Sequence, residues 1–171
     1  MTNKLLPIIS TYNAIIFDLD DTIYDEFTFL SQVFSNISKH IFPSDVDLRS
    51  SSYHWLLSTY INQGRKLLLD KLLFTFKLQD LHSINDLLNC YRNFAPNLTP
   101  LNYFKTNIRD FNKPLYLITN GNHVQQLSKV SSLNISSYFI DIIYASDLTP
   151  KPHLDASKIL IDKKVLVIGD S

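Results

Sequence analysis

The chain is poor in several residue types, and each shortage removes a class of explanation. One cysteine, Cys90, stands in 171 residues, so no disulfide can form within the chain. With no cationic neighbour apparent, Cys90 reads as a buried, unreactive thiol. Three glycines are too few for a glycine-rich loop that cradles phosphates. Lysine plus arginine equals aspartate plus glutamate at 16 each, which excludes a broad electrostatic grip on a nucleic acid polymer or an anionic membrane. No apolar stretch reaches the roughly 18 residues that cross a bilayer. The opening "MTNKLLPIIS" is broken by Pro7 and is too brief for a signal peptide. These absences give the expectation of a cytoplasmic protein with no membrane partner. Glutamate is scarce too: Glu26 is the only one, and every other acid is aspartate.

What is present is a normal apolar share of 45%, enough for a real core. Four short apolar runs read as buried strands: 14–18 (AIIFD), 115–119 (LYLIT), 140–145 (IDIIYA) and 165–170 (VLVIGD). Continuous apolar strands separated by helical stretches predict an α/β fold with a parallel, Rossmann-like sheet covered on both faces. Polar residues close three of the runs, at Asp18, Thr119 and Asp170, and Asp147 and Lys151 follow the other. In such sheets ligands gather beyond the carboxyl ends of the strands.

About ninety residues separate the first two strands, far more than one crossover helix needs. Phe27, Leu30, Phe34, Ile37 and Ile41 recur at helical spacing. Ser44 with Asp47 predicts a cap for a second helix through Trp55 and Tyr60. Residues 65–78 predict a third helix and 83–94 a fourth, with Pro96 and Pro100 marking the return to the sheet. The expected organisation is a discontinuous α/β core, 1–25 and 97–171, with an inserted helical unit, 26–96, whose aromatics pack its interior. Shorter helices are expected at about 122–132 and 152–162, of the length of ordinary βαβ connections.

The acids after the first run pose the chemical question. Asp18, Asp20, Asp21 and Asp25 crowd the end of a buried strand, where repulsion and desolvation both disfavour ionisation. Polar strand ends and turn-forming aspartates are one explanation. The other lies in the spacing, because residues i and i+2 of an extended segment share a side and can flank one point. Thr22 adds a hydroxyl to the same turn.

The stretch "FDLDDTIY" resembles the first motif, DxDxT after an apolar strand, of the haloacid dehalogenase-like (HAD) phosphohydrolases. "LITNG" is similar to the second motif, "TPKP" to the third and "VLVIGDS" to the opening of the fourth, all in the family's order. The insert lies where the C1-capped group carries its helical cap. The resemblance implies a magnesium-dependent phosphatase with Asp18 as nucleophile, forming an aspartyl-phosphate. It implies Asp20 as general acid and then base, with its backbone carbonyl on the metal. Asp18, Asp20 and Asp170 would ligate magnesium, a cation that favours hard oxygens. Thr119 would hold phosphate oxygens, Lys151 would neutralise charge on the transferred group, and Thr22, Asn120 and Gly121 would contact substrate. The acid at Asp20 separates this chain from the dehalogenase branch, which has no alcohol to protonate.

The same resemblance implies a small phosphorylated metabolite as partner, a nucleoside monophosphate first among the candidates, with sugar phosphates and phosphoglycolate open. His123 and His153 are expected near the rim, while His40, His54 and His82 show no metal-ligand spacing. Asp147 reads either as a salt-bridge partner of Lys151 or as the end of a strand. Asp21 and Asp25 read as solvated or capping acids. Family members usually continue beyond the fourth motif, whereas this sequence stops at Ser171. That leads to the expectation of an exposed last strand and of self-association through the sheet edge. Two readings follow, an active phosphatase or a shortened, inactive relative that binds phosphate weakly or not at all. A phosphotransferase or mutase using the same intermediate is a third.

Overall fold

The computed structural model describes residues 9–145 and 164–169. The predicted helix at about 152–162 lies outside them, as do Asp147, Lys151, His153 and Asp170. The chain divides into two compact units, Met1–Glu26 with Asn97–Ser171, and Phe27–Pro96.

The first unit is built on four parallel strands: β1 (Ala14–Phe17), β2 (Leu115–Asn120), β3 (Asp141–Ala145) and β4 (Val165–Ile168). Their order is β3-β2-β1-β4, which puts the most apolar strand in the middle. All four β1 residues are buried, as its unbroken apolar run requires of a central parallel strand. On one face Ala14, Ile16, Tyr116 and Ile118 form a cluster joined by Ile143 and Val165. Phe17 packs edge-on against Phe104, with ring centroids 5.6 Å apart, and also meets Phe111 and Phe139. Strand β4 is an edge of the described sheet, and Val167 on it is 68% exposed.

The helix that supplies Phe104, α5 (Asn102–Asn107), is not anticipated by the sequence. Its six residues are too few for a periodic signal, yet Phe104 is fully buried. Helix α6 (His123–Leu133) follows β2, with Asn122 as its N-cap, and leads through a short 3₁₀ turn, Ser136–Tyr138, to β3.

The second unit holds most of α1 (Glu26–Ile41), and all of α2 (Val46–Gln63), α3 (Leu68–Thr75) and α4 (Ile84–Arg92). Along α1 the buried stripe is Phe29, Leu30, Val33, Phe34, Ile37 and Ile41. Phe27, expected on it, is 40% exposed instead. The cap of α2 is Asp45, whose carboxylate accepts from Leu48 N at 2.8 Å; neither Ser44 nor Asp47 takes that role. Helix α3 is shorter than the predicted 65–78 because Leu67 adopts a left-handed conformation (φ 55°) that a continuous helix excludes. Helix α4 begins behind Ser83, which forms a reciprocal capping box with Asp86. The aromatics pair with one another, as in Phe29 with Tyr91 at 5.7 Å and Trp55 with Phe76 at 6.2 Å. Cys90 is partly rather than fully buried, and burial pushes its thiol pKa up, away from reactivity.

Candidate active site

The site grows from the strand order. Strand β1 lies between β2 and β4, so the chain after Phe17 emerges where the sheet's connections part in opposite directions. Register carries this further: Phe17 pairs with Leu117 on one side and Ile168 on the other. Asp18 N donates to Ile168 O at 2.9 Å, which ties the first acid to the end of β4. The next residue of that strand, Gly169, approaches so closely that a Cβ there would stand 3.3 Å from Asp18 Cβ. A side chain at 169 would push directly on Asp18.

From Asp18 the chain folds into a tight turn. Leu19 N donates to Asp18 Oδ1 at 2.7 Å, and Ile23 N reaches back to Leu19 O at 3.0 Å. Leu19 is fully buried while Asp18 and Asp20 are each partly exposed, so the two acids alternate with an apolar anchor. The strand itself ends at Phe17, and it is this turn that sets where the acids lie. Asp21 takes the left-handed conformation (φ 53°), which Asp tolerates better than most residues. Its carboxylate accepts from Glu26 N at 2.8 Å at the start of α1, which gives this acid a structural role. Thr22 is buried, and its hydroxyl has no hydrogen-bond partner among the described residues.

Asp20 is the most heavily engaged group. Its Oδ1 accepts from Lys129 Nζ at 2.8 Å and from Tyr24 Oη at 2.5 Å, and its Oδ2 accepts from Gln126 Nε2 at 2.9 Å. Burial raises the pKa of this carboxyl, but the Lys129 charge and the three donors outweigh it and hold the group below the usual carboxylate range. Lys129 is only 2% exposed, a burial that lysine tolerates when paired, and its ammonium also lies 5.9 Å from the Tyr24 ring centre.

Thr119 and Asn120 close β2, the first buried and the second exposed. Gly121 follows with φ 128°, a conformation that side-chain-bearing residues rarely adopt, and starts the turn into α6. Gln126 Nε2 touches Thr119 Oγ1 at 2.7 Å and Asn120 O at 2.6 Å in addition to Asp20. One amide thus joins the first acidic turn to the end of β2. His123, expected near the rim, is an exposed first residue of α6, with its ring 4.8 Å from that of Tyr144. The rings of His40 and His82 meet at a tilt of 57° in the helical unit, and His54 contacts Ser50.

Gln126, Lys129 and Gly169 are functional candidates that reading the sequence missed. A signal for two of them was present. Gln126, Lys129, Val130 and Leu133 form one i, i+3, i+4, i+7 stripe, and polar residues occupy its first half, where a buried face should be apolar. Among the described residues no three His, Cys, Asp or Glu side chains gather as metal ligands. Asp18 and Asp20 are the two described members of the expected magnesium set, and their hard oxygens fit that cation.

A family model of the haloacid dehalogenase-like hydrolases matches residues 12–171, and the chain belongs to this family. No curated protein matches it by sequence. Solved structures share its fold. A subfamily IA HAD hydrolase from Geobacter sulfurreducens superposes with a TM-score of 0.61 at 15% identity, over 94% of this chain and 79% of that one. The HAD-hydrolase YfnB from Bacillus subtilis, bound to magnesium, gives 0.58 at 18%, over 94% and 80%. The L-2-haloacid dehalogenase of Xanthobacter autotrophicus gives 0.52 at 16%, over 91% and 69%. The fold is therefore that of HAD hydrolases, with a helical cap region in α1–α4. Among the described residues no helix is long and apolar enough to cross a membrane.

Proposed function

We propose that the chain is a C1-capped, magnesium-dependent phosphatase that cleaves a small phosphate monoester through an aspartyl-phosphate on Asp18. The observation that carries the reading is the Gln126 amide, which draws Asp20, Thr119 and the Asn120 carbonyl together beside the strand end that bears Asp18. An acid at 20 supports ester hydrolysis over halide displacement, since an alcohol leaving group needs a proton and a halide does not.

In this reading an Asp18 oxygen attacks phosphorus and the bond to the ester oxygen breaks. Asp20, ionised at rest, takes a proton from the monoanionic phosphate ester and passes it to the departing alkoxide. In the second half Asp20 takes a proton from water, which attacks phosphorus and releases Asp18 and inorganic phosphate. Lys129, Tyr24 and Gln126 favour the ionised form of Asp20, the form that the second half requires. Thr119 would donate to a phosphate oxygen. Thr22, whose buried hydroxyl has no hydrogen-bond partner among the described residues, and Asn120 and Gly121 at the turn after β2 are the further groups this reading assigns to substrate. Both Asp20 carboxylate oxygens are engaged by protein donors, so Asp20 would offer a cation its backbone carbonyl. Asp18 and Asp170 would supply carboxylates. Bound magnesium would neutralise charge on the phosphate and favour the ionised nucleophile. Lys151 and Asp170 enter the reading through their sequence motifs.

The substrate class is a small phosphorylated metabolite, with nucleoside monophosphates tested first. Hydrolysis of p-nitrophenyl phosphate with magnesium, beside an Asp18→Asn control, tests the reaction. Turnover that needs both magnesium and Asp18 is expected, and a folded protein without it would sink the proposal.

A further inference from the structure

Gln126 is 2% exposed, and its Nε2 has three oxygen neighbours within 2.9 Å. The Asn120 carbonyl and the ionised Asp20 carboxylate can only accept, so the face turned to them must be the NH₂ group. Its Oε1 is buried and has no partner among the described residues. A purely structural residue on this stripe would avoid that desolvation cost by being apolar, like Val130 and Leu133 beyond it. An amide nitrogen has no lone pair to accept with, so in this contact Thr119 Oγ1 can only accept, sharing the two amide protons with Asp20 Oδ2 and the Asn120 carbonyl. The hydroxyl proton is thereby turned toward a different acceptor.

We infer that Gln126 is a positioning residue, which fixes the Thr119 hydroxyl as a donor to a phosphate oxygen and locks Asp20 to the same frame. The inference rests on the phosphatase reading for the identity of the ligand, and its test separates the two. Gln126 reaches phosphate only through Thr119, so the two residues should act as one unit rather than independently.

The experiment is a double-mutant cycle on inorganic phosphate binding, measured by calorimetry with magnesium chloride present. Wild type, Gln126→Leu, Thr119→Val and the double variant are compared. Each single change should weaken phosphate binding about tenfold, the worth of one charge-assisted hydrogen bond. The double variant should be no more than about two- to threefold weaker than either single one. Multiplied losses near a hundredfold, or a Gln126→Leu variant that binds like wild type, would overturn the inference. If Gln126→Leu does not fold, Gln126→Met, which keeps the unbranched stem, takes its place in the cycle. A wild-type protein that binds no phosphate also overturns it. Coupled phosphate binding without Asp18-dependent turnover supports the positioning role and refutes the phosphatase reading instead.

Discussion

Lys129→Met tests whether Asp20 is held by its buried counter-ion. Methionine keeps most of the apolar stem and removes only the ammonium 2.8 Å from Asp20 Oδ1. At an effective permittivity of about 20, the lost attraction across that distance is about 6 kcal/mol. The desolvation that lysine no longer suffers offsets part of this, and broken buried pairs typically cost about 3–5 kcal/mol. At about 2–4 °C per kcal/mol for a chain of this size, the melting temperature should fall by roughly 6–20 °C. The pH dependence gives a second signature. In the wild type the Asp20 pKa is depressed, so its stabilisation is present above the unfolded value of about 3.9 and fades only as pH falls through the lower folded value. In Lys129→Met, burial is left opposed only by the Tyr24 and Gln126 donors, which raises the pKa. A penalty then exists at neutral pH and is relieved as the carboxyl protonates on acidification. The gap between the two proteins should therefore narrow from pH 7 toward pH 4.5. Melting with EDTA, which removes substitute cations, reads both effects, and Asp20→Asn in the Lys129→Met background should recover part of the loss. A deficit under 1 kcal/mol, or a gap that does not change with pH, would refute the ion-pair argument.

Gly169→Ala should lower kcat on p-nitrophenyl phosphate several-fold, because its Cβ would press on Asp18 from 3.3 Å; unchanged kinetics would show that Asp18 yields freely. Gly121→Ala forces a side chain into φ 128° and should cost about 1–3 kcal/mol in urea melts. Asp45→Ala removes the α2 cap and should cost about 1 kcal/mol, with no change in KM if the cap is local. Magnesium should raise the melting temperature in a concentration-dependent way that Asp18→Asn abolishes; an equal rise in both would place the cation elsewhere.

Much of this protein is legible along the chain because its strands are short apolar runs with polar ends. Ala14–Phe17 reads as a buried strand from its unbroken apolar run, and the spacing of the acids that follow it points to a site while leaving turn formation open. Local details were less secure for local reasons. The α2 cap falls on Asp45, one residue beyond the expected Ser44, a shift that backbone geometry decides. Leu67 has no feature in its letters that marks it for the left-handed conformation that delays the start of α3 to Leu68. Helix α5 is too short to leave a period.

The division is clearest at Asp20. Its identity and its place two residues after Asp18 are properties of the chain, as are the parallel strands and the helical insert between them. Its partners are not. Gln126 and Lys129 lie 106 and 109 residues away, and nothing local relates them to Asp20. They meet because β2 pairs with β1 and carries α6 back across the sheet, an outcome of strand order. Periodicity marks which face of an element is buried. The long-range packing of one element on another decides what that face meets, and with it whether a buried carboxylate stays ionised.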